Sequence, residues 1–555
     1  MRIVVIGGGA GGASAAVKAR RISEDAEVVI YDRGPHLSYA NCGLPFFLGG
    51  EIEKREDLFV VPFSRFDGWF NIDARPLHSI EGIDRKKRTL TVRDVQSGQV
   101  FTENYDRLVL ATGSRPVVPN IEGLHDGLRN VFTLSTVPDV DAACACLRED
   151  EPQQALVIGG GFIGLEVAEA LTARGIAVTL VERLPQVMPV VDAEFSNRLI
   201  EELDRLGVRV ILGDTVVGLD LDGDRVTGAA LGSGVRVPCS LVLAATGMRP
   251  DARLAVGAGL EMGRAGGIAV NDRMQTSDSD IYAAGDCVES EELLTGRRVL
   301  SMLAGPANKQ GRVAGANAAG ADYVFRGVLG TCIVRVGRTV VAKTGLSEHD
   351  AEIASIPHFV SDNYARDHAG YYPGSTELHI KLTVESNTGR LLGAQVAGEA
   401  GVDKRIDVFA TAIYAGLTVF DLEQLDLAYA PQFSSAKGPE IMAGMAASNI
   451  VRDEVRNITS SRLAEILHDP ALQLVDVRTD EEARRGMIPG AVHMPLHELR
   501  RRLGELDPAR PTVVYCRTGI RSYIASRILT QRGFADVRNL SGAWLSWIIS
   551  NRETN

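Results

Sequence analysis

Two cysteines in this chain of 555 residues stand where sulfur chemistry could occur. Cys42 lies in "SYANCGLP" (38–45), where Asn41, Gly43 and Pro45 suit a turn better than an apolar core. Cys516 ends an apolar run and opens "CRTGIR" (516–521), which leads into a helical segment. The thiolate is the reactive form, and an ordinary thiol with a pKa of about 8.5 is only a few per cent ionised at neutral pH, so both sites need help from their surroundings. For Cys42 that implies a lowered pKa. A dithiol pair would place a second cysteine shortly after Cys42, but Phe47 stands there. Around Cys516, backbone N–H groups curving through Gly519 make a nest for an anion, the helix dipole adds to it, and Arg517 and Arg521 can hold an anionic donor.

Two glycine turns must position the first site. "RIVVIGGGAGGASAA" reads as an apolar strand, the turn Gly7-x-Gly9-x-x-Gly12 and an alanine-rich helix, with a second strand ending at Asp32. The pattern recurs with Gly159, Gly161 and Gly164, then Glu182. In each, the glycines let the backbone approach a pyrophosphate at the helix N-terminus, and the acid accepts from ribose hydroxyls. Two dinucleotide sites follow. Glu182 would repel a 2′-phosphate, which favours NADH over NADPH, although Arg183 beside it works the other way.

The length predicts several domains. A formal charge of -12 argues against nucleic acid as a partner. Seven cysteines make neither a disulfide framework nor a metal site by spacing. With no apolar run of about 18–20 residues, the expectation is a soluble cytoplasmic protein with no membrane partner and no metal. Cys144 and Cys146 fall on different sides of one helix, and Cys239, Cys287 and Cys332 sit in apolar strand-like contexts, so all five are expected to be packing residues.

The order of segments carries a resemblance. "YDRLVLATGSRP" (105–116) and "DIYAAGDC" (280–287) close the first fold on either side of an insertion with its own "LVLAATGMRP" (241–250). This resembles the two-dinucleotide-binding-domain flavoprotein disulfide reductases. The likeness implies an α/β fold with two Rossmann-like three-layer ββα domains for FAD and NAD(P), then an α+β dimerisation domain. The implied FAD-binding parts are 1–118 and 253–324, the NAD-binding domain 119–252 and the dimerisation domain 325–450. It implies FAD contacts at Asp32, Arg33, Thr112, Gly113, Asp286 and the helix start at Ala304, beside Gly7, Gly9 and Gly12. For NAD it adds Ile163, Gly247 and the aromatic gate Phe162 to the second turn and Glu182.

Within that family, peroxide- and oxygen-reducing members carry a histidine in the first glycine turn, where Ala10 stands here. The surroundings of Cys42 are instead similar to those of coenzyme A disulfide reductases and NADH-dependent persulfide reductases, over residues 1 to about 450. "HAGYYPG" (368–374), "GVDKRIDVFA" (401–410) and "LAYAPQFSSAKG" (427–438) reinforce it. The resemblance places Tyr371 and Tyr429 across a homodimer from the partner's cysteine, and coenzyme A against Ser14, Lys18, Arg21, Ser38, Asn41 and Lys437. Ser14, Lys18 and Arg21 also share one helical face by spacing. The chain departs from its relatives at Trp69 and Phe70, where some carry a cation, and at Gln432 and Phe433, which remove a phenol.

After "VRDEVRNITSS" the pattern changes, with Ser461 as the expected helix cap, then "LQLVDVR", "IPGAVHMP" and the Cys516 loop. This segment, 456–555, resembles a rhodanese, an α/β sulfurtransferase domain whose site residues here would be Cys516 and Arg521. The expected function is NADH-dependent, FAD-containing reduction of sulfane sulfur: coenzyme A persulfide, polysulfide or coenzyme A disulfide. Cys42 would form a mixed disulfide with coenzyme A, and the rhodanese would deliver or accept sulfur, with a donor protein as a further partner. A plain coenzyme A disulfide reductase keeping thiol balance, and a sulfide or redox sensor, are the alternatives.

Overall fold

The computed structural model describes residues 1–551 as two compact units: 1–185 with 204–328, and 186–203 with 329–551. In the first unit, strand Arg2–Ile6 runs parallel to Glu27–Tyr31 on one side and to Arg107–Leu110 on the other. Ile281–Ala283 and Asp73–Arg75 complete this five-stranded sheet at its edges. Its strands are buried apolar runs, as a parallel sheet covered on both faces requires. Helices Ala10–Ile22 and Ala304–Ala318 pack together, and an antiparallel ribbon of His78–Asp84, Thr89–Asp94 and Val100–Asn104 forms a further sheet.

The same plan recurs between these halves. Gln154–Ile158 pairs in parallel with Ala177–Glu182 and Leu241–Ala244, and Arg209–Leu212 and Val131–Phe132 lie at the edges. A second three-stranded ribbon spans 216–238. Ser114–Pro116 pairs with Met248–Pro250, so the two "ATG" segments meet as an antiparallel pair.

In the second unit, five antiparallel strands between Cys332 and Gly398 carry helices Val402–Tyr414 and Pro439–Val451. A separate parallel sheet orders Arg456–Ile458, Val537–Leu540, Thr512–Tyr515, Gln473–Asp476 and Val492–His493. The helix before Gln473 is capped by Thr459, not by Ser461: the Thr459 side chain accepts from the Arg462 N–H, and Ser461 falls inside the helix Ser460–Ile466. Three residues from cap to donor is the N-cap spacing that Thr459 satisfies. Among the described residues no helix is long and apolar enough to cross a membrane.

Candidate active site

The loop bearing Cys42 is fastened at both ends to the first glycine turn and its neighbours. The Ser38 N–H donates to the Gly8 carbonyl at 2.8 Å, and Ala40 N–H to Leu58 at 2.7 Å. Ser38 has φ 48, a conformation few non-glycine residues adopt, and is buried. Tyr39 Oη and Asn41 Nδ2 both donate to the Ser135 carbonyl at 3.3 Å. Cys42 follows in the short turn Asn41–Gly43 that leads into helix Leu44–Gly49, with Pro45 in its first turn. All seven cysteines are free; Cys42 is exposed, Cys332 half-buried, and the other five buried.

The protein alone does not supply the lowered pKa expected of Cys42. Burial of part of the side chain pushes its thiol up, and the carboxylates of Glu166 and Asp286 push the same way. Glu166 escaped the sequence reading. It lies on helix Phe162–Ala173, one turn beyond Phe162, where a carboxyl among apolar residues was the available signal. Burial, then Glu169, raises it to about 7. A thiol without a cation nearby is reactive only if a bound group withdraws charge from it.

The two glycine turns share one geometry. A Cβ on Gly12 would sit 1.8 Å from the Gly7 carbonyl oxygen, and one on Gly164 1.9 Å from that of Gly159, so neither turn tolerates a side chain there. Gly9 and Gly161 face open space. Asp32 accepts from the Gly8 and Gly34 N–H groups, both at 2.7 Å. Glu182 accepts in the same way from Gly160 at 2.6 Å and Leu184 at 2.8 Å. Each acid is thus set at the turn where a ribose would lie. Asp286, raised by burial, accepts from Ser114 Oγ at 2.8 Å. Ala304 is exposed at the N-terminus of its helix, and Thr112 Oγ1 donates to the Asp251 carbonyl at 2.6 Å. Gly113 and Gly247 take φ 67 and 102, Phe162 and Ile163 open the second helix half-buried, and Arg33 and Arg183 are exposed. Open turns, ribose acceptors and a free helix start fit two dinucleotides.

Of the residues assigned to coenzyme A, Ser14, Lys18 and Arg21 lie on helix Ala10–Ile22 as their spacing predicts. Ser14 donates to Asn308 at 2.7 Å, Lys18 Nζ sits 3.2 Å from Tyr323 Oη, and Arg21 lies over the Phe70 ring at 5.8 Å. Arg65 covers Trp69 at 4.2 Å, so a cation from the preceding helix stands at the departure noted above. Lys437 is exposed, in the second unit.

In that unit Tyr371 and Tyr429 meet hydroxyl to hydroxyl at 3.0 Å and point outward, 77% and 49% exposed. Their bond raises the Tyr371 pKa. Buried Arg405, from the "GVDKRIDVFA" segment, stands behind both loops: it donates to the Asp367 carbonyl at 2.6 Å and pairs with Glu440 at 3.3 Å. A cavity of about 460 Å³ beside them is lined by Lys404, Arg405, Tyr429, Gln432 and Phe433.

Cys516 is fully buried at the end of strand Thr512–Tyr515. Its sulfur accepts from the Gly519 N–H at 3.1 Å and from Ser522 Oγ at 3.5 Å. Gly519, at φ 114, turns the chain into helix Ile520–Gln531. The arginines differ from the expectation that they await an anionic donor. Arg521 is held by Glu482 through two contacts of 2.7 Å, and Arg517 by Glu377 at 2.9 Å.

The family description Pyridine nucleotide-disulphide oxidoreductase matches residues 1–311, its dimerisation domain 333–439, and a Rhodanese-like domain 459–550. The chain belongs to the pyridine nucleotide-disulphide oxidoreductases. Within that family it is similar to an NAD(P)H coenzyme A polysulfide/persulfide reductase of Pyrococcus horikoshii, 35% identical over 80% of this chain and 97% of the relative. Two solved structures extend the likeness through the rhodanese-like domain. The reduced Bacillus anthracis CoADR-RHD superposes with a TM-score of 0.96 at 41% identity, covering 99% of this chain and 98% of that one. An NAD-dependent persulfide reductase from A. fulgidus gives 0.91 at 37%, covering 99% and 100%. The mixed α/β fold combines the domains of this oxidoreductase family, which works with FAD and NAD(P)H, its dimerisation domain and a C-terminal rhodanese-like domain.

Proposed function

We propose that the protein is an NADH-dependent reductase of sulfane sulfur carried by coenzyme A or as polysulfide, acting as a homodimer in the cytoplasm. The observation that carries this reading is Cys42 itself: an exposed free thiol on a loop tied to the first dinucleotide turn, while the other described cysteines are buried or half-buried. With no second protein sulfur beside it, the substrate supplies the partner sulfur. FAD, held by the first turn, Asp32 and Asp286, would supply the electron pair taken from NADH at the second turn and Glu182.

The chain's own residues account for the rest. Cys42 thiolate attacks the inner sulfur of a coenzyme A persulfide, the S–S bond breaks, and sulfide leaves as a Cys42–coenzyme A mixed disulfide forms. Two electrons then cleave that disulfide to two thiolates, so one NADH and one proton give one sulfide and one thiol per turnover. The hydroxyl pair of Tyr371 and Tyr429, contributed by the partner subunit, donates a proton to the departing sulfur. The cations of Lys18, Arg21 and Lys437 hold the phosphates of coenzyme A. Cys516 takes up sulfane sulfur from a donor and passes it toward this site, where fusion raises its effective concentration.

The test is an anaerobic assay of NADH-driven sulfide release from coenzyme A persulfide beside reduction of coenzyme A disulfide, with mass spectrometry of Cys42. Faster turnover of the persulfide and a coenzyme A adduct on Cys42 support the reading. Efficient turnover of the disulfide alone would make the protein a keeper of thiol balance instead.

A further inference from the structure

The cations at the Cys516 loop are already compensated, and that bears on what can load this cysteine. Arg521 gives one N–H to each oxygen of Glu482, both at 2.7 Å. Glu482 is fixed from its other side as well. It is the third residue of helix Asp480–Arg484, and Thr479 donates to its Oε2 from the backbone N–H at 2.9 Å and from the hydroxyl at 3.0 Å. Led by the Arg521 contact, these bonds hold the Glu482 carboxyl down to about 2, so it stays ionised throughout the physiological range. Arg517 is matched by Glu377 at 2.9 Å. Each guanidinium of the loop thus already has a carboxylate partner.

The rim is apolar. Ile520 and Ile524, one turn apart on helix Ile520–Gln531, are 59% and 40% exposed. The sulfur of Cys516 accepts from the Gly519 N–H and the Ser522 hydroxyl, and Arg521 reaches it as well while paired with Glu482. A dianion such as thiosulfate would have to find cations for its oxygens here by displacing Glu482 from a bidentate pair, or sit beside two carboxylates. The persulfide of an organic thiol carries at most one negative charge at its terminal sulfur and brings apolar carbon that the two isoleucines can cover.

We propose that Cys516 takes its sulfur from the persulfide of an organic thiol in preference to thiosulfate, and that Glu482, seconded by Glu377, sets this preference by occupying Arg521 and Arg517. The inference rests on the reading of Cys516 as a sulfur carrier. In the transfer, Cys516 thiolate attacks the outer sulfur of R–S–SH, the S–S bond breaks, and its electron pair leaves with R–S⁻. The proton stays on the transferred sulfur, giving Cys516–S–SH, and no outside oxidant or reductant is needed.

The test uses the full-length flavoenzyme, pre-reduced and freed of reductant, mixed with the persulfide of 2-mercaptoethanol or with thiosulfate at equal concentration. Persulfide on the Cys516 peptide is followed by mass spectrometry. The organic persulfide should load the wild type faster, and Glu482→Gln should narrow the ratio of the two rates by about tenfold, chiefly by speeding thiosulfate. Glu377→Gln, whose pair is more exposed, should narrow it about twofold to threefold. Because Glu377 lies on the sheet outside the rhodanese-like domain, this variant carries the test if Glu482→Gln does not fold. Equal loading of the wild type by both donors, or an unchanged ratio in the folded variants, overturns the proposal. No NADH enters the loading step, so a failure of Cys42 chemistry, seen as absent NADH-driven sulfide release, is read separately.

Discussion

Cys42 and Cys516 present the same group, a free thiol, in opposite surroundings. Cys516 is wholly buried, and a backbone N–H and a hydroxyl converge on its sulfur at the start of a 12-residue helix. Cys42 is exposed as a residue, and partial burial of its thiol, then the carboxylates of Glu166 and Asp286, raise its pKa. The Cys516 contacts all come from its own chain. The Cys42 site, on the function proposed above, would depend on a bound nucleotide and on the exposed hydroxyl pair of a second copy.

The sharpest way to break this comparison is to remove each sulfur in turn. Cys42→Ser should lower NADH-driven sulfide release from coenzyme A persulfide by about 10³-fold or more while flavin absorbance is kept. Cys516→Ser should leave that reaction within about twofold and remove only delivery from protein-bound donors. Sulfide release that survives Cys42→Ser would end the argument for a single redox cysteine.

The half of the Cys42 site that the proposed dimer would lend comes next. Tyr371→Phe and Tyr429→Phe should each lower kcat about 10- to 100-fold, with the loss on both sulfane substrates, and leave loading of Cys516 untouched. The built-in half is probed by Gly519→Ala. A side chain at φ 114 costs about 1–3 kcal/mol and tilts the N–H away from the sulfur, so Cys516 loading should slow about tenfold while Cys42 chemistry does not change.

The smallest effect concerns Glu166. Raised to about 7 from an ordinary 4.5, it is neutral below that pH and ionised above it, and only the ionised form opposes the Cys42 thiolate. Glu166→Gln should therefore speed alkylation of Cys42 about twofold to threefold at pH 8 and little at pH 6. The folded state binds the extra proton between the unfolded and folded pKa values, so wild-type stability falls as pH rises from 4.5 to about 7, and the variant should lose that slope in denaturant titrations. Identical slopes would show that Glu166 ionises freely.

Much of the architecture was legible because it is written in contiguous residues. Glycine turns closed by Asp32 and Glu182, strands of unbroken apolar residues, and the loop from Cys516 to Arg521 each span a few positions whose backbone chemistry admits one reading. The helix cap at 459 rather than 461 shows the grain of that reading: three neighbouring hydroxyl residues compete, and the geometry of one turn chooses Thr459. Glu166 was passed over because a single carboxyl in a helix carries no periodic signal, and its raised pKa arises from what packs around it. Arg405 has no role that its own segment reveals, since its partners at 367 and 440 come from other elements.

The amino-acid order by itself determined which groups could react: one unaccompanied thiol beside a nucleotide turn, a second at the mouth of an anion nest, and the segments that hold them. Tertiary structure alone decided the charge state of those places. Arg521 meets a carboxylate 39 positions away and Arg517 one 140 positions away, while Tyr371 finds its hydroxyl partner across 58. Backbone turns are chosen by neighbours in the chain, whereas ion pairs and burial are properties of neighbours in space, and these set what each sulfur can accept.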